Sequence, residues 1–257
     1  TIALFFMIGM GVFGQGFVGK LAFPSANVSD RLEKTFTSVN FNMMIMVIYA
    51  LITIAIFGMW YYARYEGNFL PSPKKTFNPM MLVAIVILVP GTQFAANFIA
   101  NLTGYIRPDW LQQYNDLFET SGITDTTFVT VLYSVILAPI CEDLIFRGVT
   151  MRCARKALPF ALANLMQAAL FGLFHLNWIQ GIYAFALGIV LGYVCECGGS
   201  IYYSMWLHLL FNLWGTLSGF FPDPGNSVVI CVIVIAVTIV SLVVGFVLFN
   251  KGRRKLP

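Results

Sequence analysis

Ala138-Pro139-Ile140-Cys141-Glu142-Asp143-Leu144-Ile145-Phe146-Arg147-Gly148-Val149-Thr150-Met151-Arg152 is the stretch whose reading decides the fold. It follows an apolar run, Phe128 to Leu137, long enough to be entering a membrane. Glu142, Asp143 and Arg147 therefore fall where hydrocarbon is expected. Ionisable groups at that depth cost about 2.5–3.5 kcal/mol each on insertion and are usually retained for function. The chain has only two histidines, His175 and His208, and both also fall inside apolar segments.

Composition excludes a soluble globular protein: 59% of the residues are hydrophobic and 10% charged, with a mean hydropathy of +0.81. An all-α, polytopic transmembrane helical bundle is the class that fits. The net charge of +4 is small and concentrated in loops, so it reports topology and not a nucleic-acid partner. The five cysteines, Cys141, Cys153, Cys195, Cys197 and Cys231, form no zinc-ribbon spacing and read as reduced, inert thiols. No cleavable signal is evident, and a chain beginning at Thr1 suggests a trimmed first span.

Outward from the central stretch, apolar segments predict about eight spans in a single membrane domain, 1–257. They run Thr1–Phe23, Val39–Ala63, Pro79–Leu102, Thr126–Ala157, Leu158–Trp178, Ile182–Val194, Ile201–Phe221 and Val228–Phe249. Pro90-Gly91 predicts a kink in the third. Residues 126–221 hold every candidate functional residue; 1–103 and 228–257 are peripheral spans, the latter with a basic tail. From Pro108 to Glu119, apolar residues at Trp110, Leu111, Tyr114, Leu117 and Phe118 predict a short amphipathic helix at the interface, a surface connector or a lid.

Alternating the spans puts Arg64, Lys74, Lys75, Arg152, Arg155, Lys156, Lys251, Arg253, Arg254 and Lys255 on one side. Lys20, Arg31, Lys34 and Arg107 fall on the other. The positive-inside rule then predicts a multi-pass cell-membrane protein with both termini cytosolic.

Glu142 and His175 lie on either side of the turn at Ala157-Leu158-Pro159, each roughly 22–25 Å from it at the α-helical rise. Antiparallel helices would hold them at one depth, with His208 well within the bilayer on a third helix. Asp143 and Arg147, four apart with the acid first, suit an ion pair that leaves Glu142 unpaired. Phe171 and His175 share one helix face, as do His208 and Asn212. Taken singly, each has a bland reading: a histidine or asparagine bonding across helices, or a solvated acidic pair. Together they suggest a water-activating carboxylate and imidazole beside an imidazole and amide able to stabilise an oxyanion, which is hydrolysis of an amide within the membrane.

Glu142-Asp143-x-x-x-Arg147, Phe171-x-x-x-His175 and His208-x-x-x-Asn212, in that order, resemble the three motifs of the CAAX protease and bacteriocin-processing (CPBP, or Abi) family, which includes the type II CAAX prenyl endopeptidases. That resemblance implies that Glu142 and His175 activate water, that His208 and Asn212 stabilise the oxyanion, and that Asp143, Arg147 and Phe171 support the site. It implies a peptide or lipidated-peptide substrate within the lipid bilayer. The family's usual first motif has a second Glu where this chain has Asp143; the charge is kept and the reach shortened.

Other intramembrane protease signatures are missing: His-Glu-x-x-His, Gly-x-Gly-Asp and a complete Gly-x-Ser-Gly are all absent. A metal version of the same site stays open, because Glu142, His175 and His208 are three plausible zinc ligands. The alternative from another class is a non-catalytic peptide-binding or bacteriocin-immunity protein of the same fold.

Overall fold

A computed structural model describes residues 39–65, 77–121, 127–218 and 227–253. The predicted first span, Thr1–Phe23, and the basic loop around Lys74 and Lys75 lie outside the described residues. All regular structure among the described residues is helical. In chain order the helices are α1 (Val39–Tyr65), α2 (Pro79–Ile106), α3 (Pro108–Ser121), α4 (Phe128–Ala154), α5 (Phe160–Phe174), α6 (Trp178–Gly198), α7 (Ile201–Ser218) and α8 (Val228–Arg253).

Five of these, in α1, α2, α4, α6 and α8, are long and apolar enough to cross a membrane. Segment five is shorter than expected. The apolar pattern extends to Trp178, but α5 stops at Phe174 and its 15 residues extend only ~22 Å. The stop is built into the backbone: His175 caps α5, Leu176 takes a left-handed φ of 54°, and Asn177 caps α6 by accepting from the Gln180 N–H at 3.1 Å. Segment six accordingly begins at Trp178 and not at Ile182. Its other end turns at Gly199, whose φ of 66° suits a residue without a Cβ.

α2 continues as one helix through Pro90. Proline removes one helical hydrogen bond and crowds the preceding turn. Ser241 of α8 serves the backbone beside it: its Oγ accepts from the Gly91 N–H at 2.9 Å and donates to the Ile87 carbonyl. At the far end of the same seam, the Asn78 carboxamide donates to the Gly252 carbonyl at 3.1 Å, and the Asn78 N–H donates to Tyr203 Oη at 2.8 Å. The start of α2 is thus tied to the end of α8 and the start of α7.

α5 and α6 approach through small residues, as helices in lipid do when packing replaces the hydrophobic drive. A Cβ on Gly172 would come within 2.5 Å of the Gly181 carbonyl oxygen. Buried amides bond across the same seam: Gln167 donates to the Gly188 carbonyl at 2.8 Å, and Asn164 to the Ile189 carbonyl at 3.0 Å.

α3 is amphipathic and too short and polar to span. Trp110 stacks on Trp178 at the start of α6, with ring centroids 5.2 Å apart, and the Arg107 guanidinium lies over the Trp110 ring, 4.3 Å from its centroid. Arg107 also grips both Asp109 oxygens, at 3.0 and 2.7 Å, which holds that carboxyl below its usual range.

Candidate active site

α4 delivers the acidic residues, and it does so with an irregular backbone. A short α-helical stretch, Ala138–Asp143, lies between two π-helical stretches, Leu132–Leu137 and Leu144–Met151. Pro139 supplies a reason for the first, since a widened turn makes room for a ring that cannot donate. Nothing in hydropathy periodicity announces either.

Asp143 and Arg147 form the predicted pair, Oδ1 to Nη1 at 3.2 Å, with both side chains wholly buried. The guanidinium also lies over Phe171, 4.3 Å from the ring centroid. Phe171, 1% exposed, is where the three motifs meet. Its ring is edge-on to His175 at 5.1 Å, to His208 at 5.7 Å and to Phe146 at 5.3 Å.

His208, from α7, stands between the two carboxylates. Nε2 is 3.6 Å from Glu142 Oε2, and Nδ1 is 3.4 Å from Asp143 Oδ2. The first distance is long for a direct hydrogen bond and is of the kind a water can bridge. The second brings charge close without hydrogen-bond alignment, so Nδ1 has no such partner among the described residues.

The remaining residues are more accessible. Glu142 keeps 12% of its side chain exposed, and His175 and Asn212 are half-buried. Asn212 Nδ2 donates to the Ser134 carbonyl at 2.9 Å, which ties α7 to the first widened turn of α4. That is the cross-helix bond of the bland reading, and it leaves the second amide hydrogen for another acceptor. Glu142, His175, His208 and Asn212 thus come from α4, the C-cap of α5 and α7.

Sequence reading missed several neighbours. Tyr49 of α1, Tyr133 of α4 and Tyr183 of α6 are all within electrostatic reach of Glu142. Phe146 packs on Phe171 and Phe174. Of these, only Phe146 carried a signal, being next to Arg147 in the central stretch.

A cavity of about 750 Å³ lies between α1, α2, α4 and α7, and it is not lined by the four candidate residues. Its wall includes Ile140 and Leu144, which bracket Glu142, and Met205 and Leu209, on either side of His208. The lining is almost wholly apolar.

Among the described residues no three of His, Cys, Asp and Glu gather as a metal-holding group. Glu142 and His208 face one another, and His175, packed on Phe171 and Phe174, is within electrostatic reach of His208.

No curated protein and no solved structure gives a significant match to the chain. One family model does match, described as type II CAAX prenyl endopeptidase Rce1-like, over residues 124–214 of the 257. All three motifs, from Glu142 to Asn212, fall inside the matched residues, so the stretch that carries them is similar to that family.

Proposed function

We propose that the chain is an endopeptidase acting within the membrane, with water activated at Glu142. Glu142 takes a proton from that water as its oxygen attacks the peptide carbonyl carbon. When the tetrahedral species collapses, the carbon–nitrogen bond breaks and the proton passes to the leaving amine. The observation that carries this reading is the 3.6 Å approach of His208 Nε2 to Glu142 Oε2 in a nearly sealed interior. A water held between them would be oriented by both groups, with Asp143 behind the imidazole. His175, half-exposed on the other side of Phe171, shares the proton or orients the water. The second amide hydrogen of Asn212 stabilises the oxyanion.

The substrate on this reading is a peptide carrying an apolar tail. The family description and the apolar cavity beside the Ile140–Leu144 turn both support a lipidated peptide. Arg152, Arg155, Lys156, Lys251 and Arg253 share one end of the bundle, and Arg107, paired with Asp109, lies at the other. The basic end is assigned to the cytosol.

Glu142→Gln tests the reaction, because it keeps size and hydrogen bonding while removing the base. The purified variant should fold normally and cleave a lipidated reporter peptide at least ~10²-fold more slowly. Undiminished cleavage, in a preparation free of other proteases, would sink the proposal.

A further inference from the structure

A second groove, of about 480 Å³, runs between α5, α6 and α8 and shares no lining residue with the large cavity. Its walls include Phe160, Ala161 and Leu165 of α5, Val190 and Tyr193 of α6, and Phe246 of α8, and the one amide among them, Asn164, spends an N–H on the Ile189 carbonyl. Towards the basic end of the bundle its α6 and α8 walls change character in steps. Tyr193 and Phe246 meet edge to face, with centroids 5.5 Å apart. One helical turn on, the Tyr193 hydroxyl donates to Asn250 Oδ1 at 2.8 Å. One turn beyond that, Arg253 reaches across to Cys197, Nη1 to Sγ at 3.5 Å.

Residues Phe246, Asn250 and Arg253 are spaced i, i+4, i+7 and so share one face of α8, as Val190, Tyr193 and Cys197 do on α6. The groove is therefore apolar in its depth, hydroxyl and amide at mid-height, and cationic at its mouth. A thiol is a weak acceptor, so the exposed Arg253 guanidinium keeps most of its donor capacity. Its neighbour Arg155 is already held by Glu196 Oε1 at 3.0 Å and by the Leu158 carbonyl. The order of these layers matches a membrane lipid with a phosphate head: acyl chain, ester level, anion.

We propose that this groove binds one anionic phospholipid, with an acyl chain along Leu165, Val190 and Phe246 and the phosphate against Arg253. A guanidinium fork suits a phosphate oxygen pair. The site is separate from Glu142 and His208 and does not depend on the proposed reaction.

The test uses the full chain, delipidated in detergent and titrated with phosphatidylglycerol or phosphatidylcholine of the same chains, with bound lipid counted by native mass spectrometry. One phosphatidylglycerol per chain should be retained, with roughly fivefold preference over phosphatidylcholine, the weight of one basic side chain at an anionic surface. Arg253→Gln, at an exposed position, should fold and lose the preference while keeping chain binding. Ala161→Trp, which fills the groove from the exposed first turn of α5, should lose retention of both lipids. Equal retention of the two lipids by the unaltered chain would overturn the proposal. So would an unchanged preference in Arg253→Gln, unchanged retention in Ala161→Trp, or a lipid-free dimer that Ala161→Trp dissociates.

Discussion

The Arg147 guanidinium lies over Phe171 with its central carbon 4.3 Å from the ring centroid. Phe171 in turn is edge-on to both imidazoles, so a charge on α4, a ring on α5 and a histidine on α7 form one packed unit. Burying a full positive charge is costly, and here a carboxylate at 3.2 Å and an aromatic face offset the cost together. Arg147→Ala should therefore lower folded yield and thermal stability, by about 3–5 kcal/mol, because Asp143 is left uncompensated. Arg147→Lys should recover part of this, since an ammonium restores the charge but not the guanidinium's fork of donors. Normal yield and melting temperature for Arg147→Ala would show the pair to be dispensable.

The two histidines should separate by burial. His208, 2% exposed between two carboxylates, couples fold and chemistry. His208→Ala is expected to lose cleavage by at least ~10²-fold and to melt lower than the parent. His175 is half-buried with aromatic neighbours, so His175→Ala should lose cleavage with little change in melting. Paired measurements of rate and melting temperature decide it; equal destabilisation by the two would count against the distinction.

How much of this was legible beforehand depends on what each feature rests on. The helical class and most helices follow from long apolar runs, and the Asp143–Arg147 pairing follows from spacing alone. The widened turns of α4 did not, because hydropathy has no signature for one extra residue per turn. The early end of α5 was hidden too, since Leu176 is an unusual choice for a left-handed backbone. Tyr49 was unreadable for a third reason: it comes from a helix carrying no motif, and only tertiary packing brings it towards Glu142.

Chelation addresses the zinc alternative through the residues themselves. Glu142, His175 and His208 are not drawn into a common ligand group. Dialysis against a strong chelator is expected to leave cleavage unchanged, with metal content measured on the same sample. Activity lost on dialysis and restored by Zn²⁺ would require the three side chains to regroup around an ion, and would overturn the water-and-carboxylate account.

The α5–α6 seam carries the geometry of Phe171 and His175, so a small change there should be felt at the site. Gly172→Ala would put a methyl 2.5 Å from the Gly181 carbonyl oxygen, which is backbone and cannot swing aside. Overpacking of this kind typically costs about 1–3 kcal/mol. The expected result is a lower melting temperature together with slower cleavage, because Phe171 is the adjacent residue. Gly181→Ala, with its closest contact at 3.0 Å, should be milder in both respects. The reverse order would mean that another contact sets the spacing.

Leu176 gives the sharpest test of how His175 is held. Its φ of 54° is a conformation that costs an ordinary L-residue roughly 1–2 kcal/mol. The turn survives because it is pinned on both sides: the His175 N–H donates to the Gly172 carbonyl at 3.3 Å, and Asn177 caps α6. Glycine adopts this backbone freely, so Leu176→Gly should leave cleavage intact and keep or slightly raise the melting temperature. Valine is the opposite case, because a branched Cβ makes the left-handed region still less accessible. Leu176→Val should lower the melting temperature and slow cleavage, since relief of the strain can only come by moving the neighbouring His175. Leu176 is 86% exposed, so neither change removes a core contact, and the backbone is the only route to the site. If Leu176→Val cleaves like the parent, the turn does not position His175.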